Sequence, residues 1–192
     1  MARNKGLNFA KRRRHVNDNI GREIFSYVIG IAVAVVLAFF LVYNWGMKTS
    51  VIGASMEPSL YNGQTIFISK LSYLFTRPKA GDVIVFKPNG NQNTHYYVKR
   101  VVATPGDKIE FKGGRFFVND VEEKGSYDKV ADPGIAAEPM VLQQDEYFVL
   151  GDNRNNSEDS RSGNIGPVQR SLIEGRAWFK LSTKDSYTGF VK

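Results

Sequence analysis

The chain has 192 residues, enough for one domain of ordinary size and a short additional segment. It contains no cysteine, which excludes disulfides, cysteine-ligated zinc and thiol catalysis, and its two histidines, His15 and His95, are too few for a histidine-built metal site. The net charge of +7 is concentrated in residues 1–23, where seven basic side chains face two acidic ones, leaving +2 for everything else. A basic tail without a basic folded face argues against a nucleic-acid partner.

In chain order, the first feature is this basic tail, residues 1–23. Ile24 to Met47 then carries no charged residue. Its core, Phe25 to Tyr43, has 19 residues and as a helix covers about 28 Å, close to the thickness of a bilayer core. Tyr27, Tyr43 and Trp45 lie near its ends, where amphipathic rings favour the membrane interface. The positive-inside tendency puts the N-terminus in the cytoplasm and residues 48–192 outside. A cleaved signal peptide would have a shorter apolar run and a small-residue cleavage site. Asn44-Trp45-Gly46-Met47-Lys48 lacks such a site, so 24–47 is read as an uncleaved anchor.

Next comes Gly53-Ala54-Ser55-Met56-Glu57-Pro58-Ser59-Leu60. About eight residues separate Ser55 from the anchor, an extended reach of roughly 26–29 Å. A serine tethered so closely acts at the membrane surface, and it needs a base to act as a nucleophile. His95 lies beside a polar run of residues 89–94, so a base of another kind is expected.

Beyond Ser55 the pattern is one of strands. Residues 65–69, 83–86, 96–103, 108–111, 115–118, 147–150 and 176–180 are short and rich in β-branched and aromatic side chains. Turn residues bound them, among them Asn62-Gly63, Ala80-Gly81-Asp82, Pro105-Gly106-Asp107 and Asn119-Asp120. Gly113-Gly114 reads as a hairpin turn. This predicts a mainly β, antiparallel barrel- or sandwich-like domain. Residues 120–146 read as a loop or small excursion. Leu71 to Phe75 is apolar for a loop; it is either a core strand or a segment that dips into membrane lipid.

Two further stretches carry candidate chemistry. In Tyr97-Val98-Lys99-Arg100-Val101-Val102, both strand faces mix charge with apolar groups, so alternation alone leaves open which cation is buried. Arginine stays protonated, whereas a desolvated lysine can become a neutral base. The plain alternative is a strand lysine that reaches solvent. Gly151 to Arg161 is polar and turn-rich. Asp159 and Arg161 can pair there, and Ser157 and Ser160 offer hydroxyls. A calcium loop is excluded, because Arg154 and Ser157 fall where an oxygen ligand and glycine are required.

The boxes Ser55 to Leu60, Gly81 to Phe86, Tyr97 to Asp107 and Gly151 to Arg161, in this order behind an apolar N-terminal segment, resemble the type I signal peptidases, also called leader peptidases, in their compact Gram-positive form. The resemblance implies a membrane-anchored serine endopeptidase that removes signal peptides from secretory precursors at the outer face of the cell membrane, without a cofactor or metal. It implies Ser55 as nucleophile, Lys99 as general base, Ser157 as the hydroxyl that orients the lysine, Asp159 and Arg161 as a structural ion pair, Asp152 as an acidic residue near the site, and Met56 as a residue that shapes the substrate site. Ser59 stands where the family often has threonine. Ala54 stands where some members have a serine that binds the oxyanion, so the donor must include the Ser55 N–H. Related Ser-Lys proteases and a non-catalytic anchored β domain are the competing readings. The first lacks the DNA-binding domain of the repressor autoproteases, and the second leaves the pairing of Ser55 with Lys99 unused.

Overall fold

The computed structural model describes residues 20–88, 95–123 and 129–191. The tail and His15, and the polar run 89–94, lie outside them except for residues 20–23. The chain divides into two compact units, residues 1–42 and 43–192.

The first unit holds most of helix α1, Ile20–Trp45. Its described side chains are exposed, and Ile20–Val42 is long and apolar enough to cross a membrane. Apolar side chains exposed along the helix suit lipid as its surroundings. It begins before the expected Ile24. Gly46 and Met47, expected at the end of the anchor, belong instead to the first strand. An absence of charge could not separate a helix end from the start of a strand.

The second unit is mainly β. Strands β1 (Gly46–Ser50), β2 (Thr65–Ser69), β3 (Val83–Phe86), β4 (Tyr97–Ala103), β9 (Glu146–Leu150), β10 (Val168–Gln169), β11 (Ile173–Lys180) and β12 (Gly189–Phe190) form one antiparallel sheet. Its order is β1-β2-β11-β3-β4-β9-β10, and β12 pairs with β11. A second sheet, ordered β7-β6-β5-β8, contains β5 (Lys108–Lys112), β6 (Arg115–Val118), β7 (Val121–Glu122) and β8 (Met140–Val141). Residues expected as a loop at 120–146 therefore supply both edges of this sheet. Strands of two residues are too short to display alternation.

Turn chemistry sets the hairpins. Gly113 and Gly114 both have positive φ between β5 and β6, and Asn119 and Asp120 do the same between β6 and β7. Both match the primed turns whose twist suits antiparallel strands. Leu71 to Phe75 is not a core strand. Ser72–Phe75 form a short helical turn, α2, with Tyr73 buried and Leu74 and Phe75 exposed.

Three apolar clusters fill the domain. One, with Met56, Leu60, Ile66, Ile68 and Val98, lies under the segment that carries Ser55. Another, with Ile84, Phe86, Val101, Tyr147 and Val149, packs the middle of the large sheet. The third, with Ile109, Phe111, Phe116 and Phe148, joins the second sheet to β9.

Candidate active site

Ser55 sits in the connection between β1 and β2, and hydrogen bonds at its two ends close that connection into a fixed loop. Val51 N–H donates to Gln64 O at 2.9 Å, and Gly63 N–H to Val51 O at 2.8 Å. Gly53 N–H donates to the Asn62 side chain at 2.9 Å. Gln64 is fully buried and donates to Leu181 O at 2.7 Å, which satisfies a polar group that would otherwise be costly inside. Met56 and Leu60, both fully buried, anchor the loop from below. Met56 therefore belongs to the core beneath the site and is not among the residues that line the cleft.

Lys99 comes from β4, in the middle of the large sheet. Its backbone is paired on one side with Ile84 of β3, and β9 flanks β4 on the other. Only 4% of the residue is exposed. Its Nζ donates to Ser55 Oγ at 2.6 Å and lies 5.8 Å from the centre of the Tyr97 ring. Burial pulls the Lys99 pKa down to about 8, against the smaller opposing pull of Asp159 and Glu158. The lowering follows from the cost of keeping an ammonium out of water.

The neighbouring cation has a different fate. Arg100 makes a bidentate pair with Asp152, with Nε to Oδ1 and the terminal nitrogen to Oδ2 both at 2.7 Å. It also donates to Gly81 O at 2.8 Å and to Ser59 Oγ at 3.4 Å. Asp152 is thus the partner of Arg100. The resemblance implied an acidic residue near the site without indicating this pairing, because the two residues are distant in the chain and meet only when β4 and the end of β9 are brought side by side.

The loop after β9 is held from within. The Asp159 side chain has no exposure and pairs with Arg161 Nε at 2.8 Å. Its other oxygen accepts from Gly151 N–H at 3.1 Å. Arg161 also donates to the carbonyls of Arg154 and Asp132, at 2.5 and 3.1 Å. The loop then holds the serine segment: Asn153 N–H donates to Ser55 O at 3.0 Å and its side-chain amide to Ala54 O at 3.3 Å. Gly151 fits closely between these pieces. A Cβ there would lie 2.2 Å from Ser157 Oγ and 2.5 Å from Ser55 O.

Ser157 lies against Gly151, which also adjoins the Ser55 carbonyl, yet its Oγ is buried and makes no hydrogen bond among the described residues. The bond to Lys99 that the resemblance implies is not formed in this structure. The Ser55 N–H is likewise not engaged by any described residue, and so remains able to donate to a substrate oxygen. A cleft of about 540 Å³ opens over Ser55 and Lys99, walled by Val51, Ile52, Tyr96, Tyr97 and Val98, with His95 and Glu158 at its margins. Tyr97 donates to Glu158 at 3.2 Å, and burial followed by the nearby Glu158 charge raises the Tyr97 pKa. Among the described residues there is no cluster of acidic or imidazole side chains suited to a metal.

The family model for "Signal peptidase, peptidase S26" matches residues 24–182, which span the serine loop, β4 and the loop after β9. The chain belongs to this family. It is a serine peptidase of the signal peptidase I type. Signal peptidase I P of Bacillus subtilis subsp. natto is 35% identical over 163 residues, which cover 80% of this chain and 86% of the relative. Signal peptidase IB of Staphylococcus aureus is 32% identical over 181 residues, covering 83% and 90%. Thylakoidal processing peptidase 1 of Arabidopsis thaliana is 36% identical over 141 residues, covering 68% of this chain and only 40% of the plant protein. A solved signal peptidase I from Enterococcus faecalis covers 53% of this chain at 24% identity and a TM-score of 0.42, too little to add to the assignment.

Proposed function

We propose that this peptidase removes N-terminal signal peptides from secretory precursors by a Ser55-Lys99 dyad at the outer face of the cell membrane. The observation that carries the dyad is a lysine nitrogen, almost wholly out of water, 2.6 Å from a serine hydroxyl in a substrate-sized cleft.

In this mechanism the working form of Lys99 is the neutral amine. The contact then reverses: the Ser55 hydroxyl donates to the lysine lone pair, and Oγ attacks the scissile carbonyl as Lys99 takes its proton. The Ser55 N–H stabilises the oxyanion. Lys99 returns the proton to the leaving amine, which departs as the C–N bond breaks. Solvent water, deprotonated by the same lysine, then hydrolyses the ester and frees Ser55. Asp159 and Arg161 shape the loop that holds the serine segment, Arg100 and Asp152 brace the strand end beside it, and the Ser157 hydroxyl, without a partner among the described residues, steers the amine as it changes charge.

The location follows from chain order. The basic residues before the helix form the cytoplasmic tail, helix α1 crosses the bilayer, and the β domain that begins at Gly46 is the extracytoplasmic catalytic domain. A precursor arrives with its apolar segment in the same bilayer and its cleavage site just beyond. Exposed Leu74 and Phe75 suit contact with lipid.

The test is cleavage of a signal-peptide-bearing precursor by wild type, Ser55→Ala and Lys99→Ala in one detergent. Both variants should fall by at least about a thousandfold, on the scale of losses when a residue of a catalytic unit is removed, while keeping the wild-type circular dichroism spectrum. Cleavage by Ser55→Ala at the wild-type rate would remove Ser55 as nucleophile.

A further inference from the structure

On the large sheet, away from the cleft over Ser55, a second recess of about 370 Å³ is walled by Arg77, Lys79, the Thr104-Pro105 turn and Tyr147. Tyr147 is fully buried and its ring packs in the middle cluster of the sheet. Its hydroxyl is buried too, and makes no hydrogen bond among the described residues. Tyr73, in the same cluster, shows the usual solution: its hydroxyl donates to Asp82 at 2.9 Å. Buried hydroxyls normally find a partner, so the Tyr147 hydroxyl calls for one that the protein does not supply.

The charges around the recess indicate what that partner is. Arg77 and Lys79 are exposed and form no ion pair among the described residues. Arg170 stacks over the Tyr73 ring at 5.4 Å and donates to the Tyr73 carbonyl, again without a carboxylate. Arg77 and Arg170 both bear on the Tyr147 hydroxyl, opposed by Asp145. Against Arg77, Lys79 and Arg170 stand Asp145 and Asp107, the latter accepting from Thr104 in the wall. Asp82, which accepts from the Lys79 N–H, is paired with Arg176, so a small positive excess remains, with one neutral donor in the wall. Leu74 and Phe75, 67% and 84% exposed, precede Arg77 with only Thr76 between them. An apolar tip followed closely by cations is the pattern of a segment that lies in a lipid interface.

We propose that this recess binds the phosphate group of an anionic membrane phospholipid, with Arg77 and Lys79 supplying the charge, the Tyr147 hydroxyl donating to a phosphate oxygen, and Leu74 and Phe75 set among the acyl chains alongside. A free phosphate would use the same cations and hydroxyl. The adjoining apolar pair assigns the phosphate to a lipid. The inference rests on the membrane-surface reading given above, and is independent of the Ser55-Lys99 dyad.

The full chain in a neutral alkyl-maltoside detergent can be titrated with dihexanoyl phosphatidylglycerol and, separately, with inorganic phosphate, using calorimetry for affinity. Saturable lipid binding is expected. Tyr147→Phe, which removes only the hydroxyl, should weaken it about tenfold, the scale of one hydrogen bond to a charged group. Arg77→Gln with Lys79→Gln should weaken it further, and Leu74→Ser with Phe75→Ser should weaken lipid binding but not phosphate binding. Precursor cleavage in neutral detergent should match wild type in all three variants, which checks the fold and keeps this test separate from that of the dyad. Lipid affinity unchanged in both Tyr147→Phe and the double glutamine variant would overturn the site. Inorganic phosphate binding as tightly as the lipid would overturn the lipid assignment.

Discussion

The loop after β9 and the outer edge of the second sheet are both laced with ion pairs, yet they use them differently. In the loop, the Asp159 and Arg161 side chains are 0% and 9% exposed, and their remaining hydrogen-bonding groups are spent on backbone atoms that shape the turn. On the second sheet, Arg115 meets Glu122 at 2.8 Å with side chains 58% and 41% exposed, and Lys108 meets Asp120 on an equally wet surface. Distances hardly differ between the two regions. What differs is the access of water, and with it the consequence of losing one partner. A charge left alone in the loop has nowhere to go, whereas one left alone on the sheet edge is simply hydrated.

The sharpest way to set the regions apart is through Lys99. In the proposed dyad its proton must be absent for catalysis, and burial pulls its pKa down to about 8. Cleavage should therefore rise with pH through that value, falling about tenfold for each unit below it. A rate that is flat from pH 5 to 9 would remove the lysine base. The next largest effect is expected from Asp159→Ala, which strands Arg161 and unties Gly151. It should lower unfolding free energy by about 3–5 kcal/mol, read from the denaturant midpoint, with cleavage falling as the serine segment loosens.

Lys99→Met should act in the opposite sense on stability. The unfolded lysine holds its proton to about 10.5, the folded one only to about 8. Between these values the unfolded state binds more protons, so the contribution of Lys99 to stability rises with pH across that window and is unfavourable below it. An apolar replacement removes the burden and should raise stability at pH 7 by roughly 1–3 kcal/mol, while abolishing cleavage. A loss of stability would mean that Lys99 is held more favourably than its burial suggests. The smallest effect belongs to Glu122→Ala on the second sheet, expected at no more than about 1 kcal/mol with unchanged cleavage. A larger loss would erase the contrast between the regions.

Much of this was legible in the residues themselves. Ser55, Lys99 and the Asp159-Arg161 pair were picked out by the four boxes taken together, and the long strands by their β-branched and aromatic runs. Other features depend on distance. That Lys99 is enclosed while Arg100 reaches Asp152 follows from which strands flank β4, and both faces of that strand read alike in the sequence. Strands β7, β8, β10 and β12 have two residues each and carry no periodicity at all. Leu71 to Phe75 was ambiguous because a short apolar run suits a strand or a helical turn equally. Asn153, which holds the serine segment by two hydrogen bonds, looks from sequence like any turn asparagine.

Gly151 sets the gauge of the whole arrangement. The Ser55 carbonyl and the Ser157 hydroxyl approach it so nearly that only a hydrogen atom fits between them. Growth at this one point is transmitted to the Ser55 segment and to the loop together. Selection for a sturdier enzyme and selection for a faster one therefore meet the same barrier here, and a library randomised at position 151 should return a single amino acid.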